Sequence, residues 1–157
     1  MKIGIGFDVH AFRPGKKLII GGVGIKYCLG LEGHSDADVL IHSIMDALLG
    51  AAGLGDIGVH FPNSDGKYKG ISSLILLEEV KNKIGNCGLK IINLDSVLIL
   101  EEPKISGYIP EMIKKIADVL EIDVKQINIK ATTSEGLGYC GRKEGAASQS
   151  IALLEER

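Results

Sequence analysis

A chain of 157 residues, 45% hydrophobic, with 18 basic and 20 acidic side chains and a formal net charge of −2, has the length of one domain with a real core. The near-neutral balance argues against the basic field that nucleic acid requires and against a polybasic membrane patch, and no stretch approaches the run of about 18 apolar residues that a membrane span needs. Three scattered cysteines, Cys28, Cys87 and Cys140, without CxxC spacing fit a reducing compartment, so a cytoplasmic location is expected.

In chain order, Lys2 to Phe12 reads as a strand that starts without any targeting segment ahead of it. An Arg13-Pro14-Gly15 turn and a short strand, Leu18 to Val23, complete a hairpin-like start. From Ala37 to Ala52 apolar residues recur at helical spacing (Leu40, Ile41, Ile44, Ala47, Leu48, Ala51), with Ser35 or Asp36 as the expected N-cap. Gly53 to Gly70 carries loop chemistry, and long loops of this kind are usually functional. A second helix is expected over about Ser72 to Gly85 and a central strand over Lys90 to Glu101. A third helix covers Gly107 to Leu120, with Pro110 in its first turn, and a strand covers Ile127 to Thr133. Glycines then interrupt the pattern around Tyr139 and Arg142, and Ala146 to Glu155 reads as a last strand. The order predicts one α/β (α+β) domain over residues 1–157, a sheet with helices on one face. Because the strands carry apolar residues on both sides, the second face is expected to be buried by oligomerisation.

Side chains on a strand alternate in direction, so Ile3, Ile5, Phe7 and Val9 face one way and Asp8 and His10 the other. A carboxylate and an imidazole on one face form half a metal site, or a structural hydrogen-bonded pair. His42, on the polar face of the first helix with Asp38 and Asp46 a turn to either side, is the candidate third ligand, and either carboxylate could orient its second ring nitrogen. One carboxylate and two imidazoles suit Zn²⁺ with an open fourth position. Asp38 and Asp46 also read as ordinary solvated or capping charges.

Gly33-His34-Ser35 lies before a helix whose free N–H groups would favour an anion, or is a plain cap with a surface histidine. Ala131-Thr132-Thr133-Ser134-Glu135-Gly136 combines hydroxyls and a carboxylate, which suits a phosphate with Mg²⁺ or Mn²⁺, and reads equally as a polar turn. Arg142 is a phosphate clamp or an exposed turn arginine, and His60 is a loop residue without an evident partner.

Taken together, Gly6-Phe7-Asp8-Val9-His10, Gly33-His34-Ser35-Asp36-Ala37-Asp38, His42, Gly55-Asp56-Ile57-Gly58 with Phe61-Pro62, and Lys130-Ala131-Thr132-Thr133-Ser134-Glu135 closely resemble the 2-C-methyl-D-erythritol 2,4-cyclodiphosphate synthase family of the non-mevalonate isoprenoid pathway. The resemblance runs from residue 2 to about residue 154 and is to the stand-alone form. It implies a mixed sheet facing inward in a homotrimer, with active sites at subunit interfaces. Asp8, His10 and His42 then match zinc ligands, Glu135 matches the ligand of a second divalent cation, Mg²⁺ or Mn²⁺, and His34 and Thr133 match positions that stabilise the transition state. Asp56, Ile57, Gly58 and Phe61 to Asp65 match the part that holds the methylerythritol unit and its phosphate, and Ser35 is a further expected substrate contact. Leu100 to Ser106, with Lys104 among them, and Ala131 and Thr132 match a cytidine pocket supplied by a neighbouring subunit, and Ser134 is a further expected substrate contact.

The implied reaction is attack of the 2-phosphate of 4-diphosphocytidyl-2-C-methyl-D-erythritol 2-phosphate on its β-phosphorus with loss of CMP, a lyase reaction without a protein nucleophile. Rival readings are a metal-dependent phosphohydrolase and a non-catalytic trimer that binds isoprenoid diphosphates. The chain departs from the family at Gln149, where an acidic residue is common. Tyr139 and Arg142 keep the pattern that, in the family, lines one end of a central cavity where isoprenoid diphosphates are thought to bind.

Overall fold

The computed structural model describes residues 1–157. Five strands form one mixed sheet: β1 (Lys2–Pro14), β4 (Leu29–Leu31), β5 (Leu89–Ile99), β6 (Ile127–Thr132) and β7 (Gly145–Glu156), in the order β4-β1-β7-β5-β6. All pairings are antiparallel except β5 with β6, whose crossover carries helix α4 (Ile109–Leu120). The expected hairpin start does not form. β1 pairs with β4 and β7, while β2 (Leu18–Ile20) and β3 (Val23–Ile25) make a separate ribbon around Gly21 and Gly22, both at positive φ. Local turn chemistry suggested the nearer partner, but the longer antiparallel match with β7 prevails.

Helices α1 (Val39–Ala52), α3 (Ser73–Asn86) and α4 cover one face. The strands present small residues to α1: Gly4 and Gly6 on β1, Ser148, Ser150 and Ala152 on β7, Ser96 on β5. A Cβ on Gly6 would lie 2.0 Å from the Ser43 carbonyl oxygen, and one on Gly4 2.1 Å from that of Ala47, so only glycine lets α1 rest on the strand backbone. The Ser43 hydroxyl, buried at that contact, meets Ser148 at 2.8 Å and Ser150 at 2.7 Å, and Ser150 meets Ser96 at 2.7 Å. These bonds satisfy the polar groups that the close approach strips of water. Leucines and isoleucines of the three helices complete the core against Leu94, Leu98, Ile127 and Ile129.

The opposite face stays open. Ile3, Ile5, Phe7 and Val9 alternate outward along β1 and are 42–71% exposed; Ile5 is paired with Ile151, and Phe7 with Gln149, which is paired in turn with Val97. The loop between α1 and α3 holds two short elements, α2 (Ile57–His60) and a 3-10 turn over Gly66–Tyr68. Tyr139 and Cys140 fall in a four-residue helix, α5 (Gly138–Gly141). No helix is long and apolar enough to cross a membrane.

Candidate active site

The glycine contact determines where His42 sits, because it immediately precedes Ser43, the residue pressed onto Gly6. Its Nδ1 lies 2.9 Å from Asp8 Oδ2 and 3.1 Å from His10 Nε2, and His10 Nε2 lies 2.8 Å from the same carboxylate oxygen. Three donor atoms thus converge on one point. In a tetrahedral shell with bonds of about 2.0–2.2 Å neighbouring donors are separated by about 3.3 Å, so this cluster fits a divalent cation with little adjustment. Burial works against the Asp8 charge, but the imidazoles beside it, His10 foremost, outweigh burial and bring its pKa down to about 2. Burial likewise opposes charge on His10, and Asp8 overrides it and raises its pKa.

The flanking carboxylates do not orient His42; they bond backbone N–H groups, Asp38 as a helix cap, in line with the capping reading of these residues. Asp38, not Ser35 or Asp36, is the α1 N-cap: its carboxylate accepts from the Ile41 N–H at 3.1 Å and from Gly21 and Gly22 at 2.9 and 2.7 Å. It is fully buried, and burial pushes its pKa up to about 6 against those three N–H donors. Asp46 accepts from the Ile57 N–H at 2.8 Å and so ties α2 to α1. What faces His42 Nε2 are two hydroxyls, Ser35 Oγ at 3.0 Å and Ser73 Oγ at 3.1 Å. The first turn of α1 is inside the core, so its N–H groups are closed to an anion.

The cluster opens into a cavity of about 480 Å³ lined also by Gly33, His34, Ser35, Ile57, Gly58 and Phe61. His34 Nε2 is buried there with no hydrogen-bond partner. Asp56 caps α2 through the Val59 N–H at 3.0 Å, and Asp65 caps the following 3-10 turn and pairs with Lys67 at 3.1 Å; both support the loop rather than line the cavity. Phe61 packs edge-on against Tyr68, and His60 bonds the Leu54 carbonyl at 2.8 Å. Met45, Tyr68 and Leu76 also line the cavity and were not anticipated, because they carry core-type side chains whose sequence spacing gives no hint of a cavity.

A second depression, of about 390 Å³, is lined by Leu100, Lys104, Ser106, Ala131, Thr132 and Thr133, and shares no residue with the first. At its rim, Glu135 is exposed, has a left-handed backbone (φ 53°) and accepts a hydrogen bond from the Thr133 hydroxyl at 3.1 Å. Glu101 Oε1 holds this turn, accepting from the N–H groups of Ser134 (3.0 Å) and Gly136 (3.3 Å). Glu135 does not join the Asp8-His10-His42 cluster. Arg142 pairs with Glu144 through two bonds of 2.8 and 3.0 Å, and Tyr139 is half exposed.

Fold and site together define a class: a mixed-sheet α/β protein with an Asp-His-His divalent-metal cluster at a strand–helix junction and a separate hydroxyl-rich shelf. The YgbB family matches residues 1–155, and the chain belongs to this family, that of the 2-C-methyl-D-erythritol 2,4-cyclodiphosphate synthases. The synthase of Clostridium acetobutylicum is 61% identical over 154 residues, 98% of this chain and 99% of that protein. That of Clostridium novyi is 57% identical over the full length of both. Among solved structures, the bifunctional IspDF from Campylobacter jejuni superposes with a TM-score of 0.96 at 44% identity, over 99% of this chain and 42% of that one. A CDP complex of IspF from Plasmodium falciparum gives a TM-score of 0.88 at 36% identity, over 99% and 96%.

Proposed function

We propose that the chain converts 4-diphosphocytidyl-2-C-methyl-D-erythritol 2-phosphate to 2-C-methyl-D-erythritol 2,4-cyclodiphosphate and CMP. One observation carries this reading: the convergence of Asp8, His10 and His42 at the floor of a cavity, in a chain 61% identical to a synthase of that name. An oxygen of the 2-phosphate bonds to the β-phosphorus, the bond from that phosphorus to the bridging oxygen breaks, and the electron pair leaves with CMP. Both reacting groups are anions, so catalysis consists of bringing them together and neutralising charge.

Asp8, His10 and His42 would hold Zn²⁺, and Glu135 would hold Mg²⁺ or Mn²⁺ together with phosphate oxygens, a carboxylate being the ligand type such hard cations take. When bound, these cations supply Lewis-acid stabilisation of the charge developing on the phosphates. Ser35 and His34 present a hydroxyl and an unpartnered buried ring nitrogen to the same cavity, where they bind and orient phosphate oxygens. Thr133 does so from the other depression and Ser134 from the turn beside it, and Ile57, Gly58 and Phe61 close over the methylerythritol unit. Leu100, Lys104, Ser106, Ala131 and Thr132 form the cytidine shelf.

The protein works as a cytoplasmic homotrimer with its sheets inward. The exposed Ile3, Ile5, Phe7 and Ile151 support this, as does the absence of any residue common to the two depressions: a neighbour supplies the shelf that completes each cavity. Phosphorus NMR on the purified protein with this substrate tests the reaction. A cyclic diphosphate and CMP should appear in equal amounts and cease on chelation of divalent metal. A linear co-product, or turnover untouched by chelation, would overturn the proposal.

A further inference from the structure

We infer that Asp36 and Ser73 are positioning residues that hold the His42 ring in the tautomer with its lone pair on Nδ1. This rests on the metal-site reading of Asp8, His10 and His42. The argument is one of proton counting. Ser73, the first residue of α3, is fully buried, and its hydroxyl and backbone N–H both address Asp36: the hydroxyl donates to Oδ1, and the N–H donates to Oδ2 at 2.9 Å. An ionised carboxylate only accepts, so the single hydroxyl proton of Ser73 points at Asp36. Toward His42 Nε2, 3.1 Å away, the Ser73 oxygen can therefore only accept. The ring proton is drawn to Nε2, and Nδ1, 2.9 Å from Asp8 Oδ2, is left with its lone pair facing the cluster.

The opposite tautomer has its own attraction, since a proton on Nδ1 would hydrogen-bond to Asp8. Asp36, acting through Ser73, competes with Asp8 for the ring proton, and the outcome decides whether the cluster binds a cation or closes as a proton-linked pair. Ser35 cannot make this choice alone. Its hydroxyl, 3.0 Å from Nε2, has no carboxylate to fix its proton and can turn either way. Asp36 is itself held firmly: its N–H donates to the Ile71 carbonyl at 3.0 Å, the Gly70 N–H donates to His34 at 2.8 Å, and its carboxylate sits at the N-terminus of α3, where the helix dipole favours negative charge.

Asp36→Asn separates this role from a merely structural one. The amide can still accept from the Ser73 N–H, but its NH₂ donates toward Ser73 Oγ and turns that hydroxyl to donate to His42 Nε2, which moves the ring proton to Nδ1. In metal-free protein the imidazole nitrogen chemical shifts of His42 should report the Nε2–H form in the wild type and the Nδ1–H form in Asp36→Asn. Zn²⁺ affinity, measured by chelator competition, should fall about 10- to 100-fold. Ser73→Ala, which leaves Ser35 in place, should cost about tenfold, and Ser73→Thr should restore most of that. In the Asp36→Asn/Ser73→Ala double variant the affinity should return to that of Ser73→Ala, because the amide then has no hydroxyl to turn. An unchanged tautomer in Asp36→Asn, or a full Asp36→Asn penalty persisting without Ser73, would overturn the inference. A wild type that binds no Zn²⁺ would instead refute the metal reading, and the tautomer in the same metal-free samples decides the inference by itself.

Discussion

The metal cluster and the hydroxyl-rich shelf are built on opposite terms. Asp8, His10 and His42 come from the centre of β1 and the first turns of α1, and they are held by a glycine contact that admits no slack. Thr133 and Glu135 sit on an exposed turn, and Glu135 adopts a backbone conformation that non-glycine residues rarely take. The three donor atoms of the first half converge within one chain; the second is an exposed shelf whose hydroxyls bond within their own turn. Under the proposed function, a rigid half for metal and an open half for substrate suit a reaction in which one flexible molecule must be folded back on itself.

The sharpest way to break this comparison is to disable the halves separately. His42→Ala removes a ligand and Glu135→Gln a charge, and each should lower turnover by about a thousandfold or more, the scale of several kcal/mol of charge stabilisation. If each site takes its cluster from one subunit and its shelf from another, randomly mixed trimers of the two variants retain both intact halves in about a quarter of their sites. Turnover of co-refolded mixtures should recover to about that fraction, whereas no recovery would mean that both halves act within one chain.

A second test asks whether the cluster needs the assembly. Phe7→Asp places a carboxylate on the half-exposed sheet face beside Gln149, which costs a lone chain little and a dry interface several kcal/mol. Light scattering should show monomers with turnover reduced about a thousandfold, as in Glu135→Gln, and Zn²⁺ affinity within about threefold of wild type. Loss of metal together with assembly would show that the cluster is not complete in one chain.

How much of this was legible in the sequence follows the range of the interactions. The two-residue alternation of β1 placed Asp8 and His10 on one face and Phe7 on the other, as the structure has them, because strand geometry is local. His42 stands out because it lies with Asp38 and Asp46 on the polar face of an otherwise apolar helical segment. Local reasoning failed where a partner is remote in sequence. The capping reading of Asp38 holds through the local Ile41 N–H, but its other two donors, Gly21 and Gly22 at the tip of a distant ribbon, left no local signal. Ser73, 31 residues beyond His42, carries no signal except a helix start. The separation of shelf from cluster is also a tertiary fact, since each depression gathers segments that sequence order scatters.

The finest distinction between the halves is what keeps each in shape, and Glu101 is the residue that tests it. Its Oε1 accepts from the loop N–H groups on either side of Glu135, those of Ser134 and Gly136, the clamp that keeps a left-handed glutamate from relaxing. Glu101→Ala removes the acceptor, so Glu135 should sample ordinary backbone conformations and meet the substrate phosphates less often. The expected cost is about tenfold in turnover, a little over 1 kcal/mol, with Zn²⁺ affinity unchanged because no bond of this clamp reaches the cluster. Glu101→Gln keeps a carbonyl oxygen at the same reach and should recover most of the loss. If Glu101→Ala lowered Zn²⁺ affinity as much as turnover, the two halves would be mechanically coupled within the chain, and their independence, on which the mixed-trimer arithmetic depends, would fail.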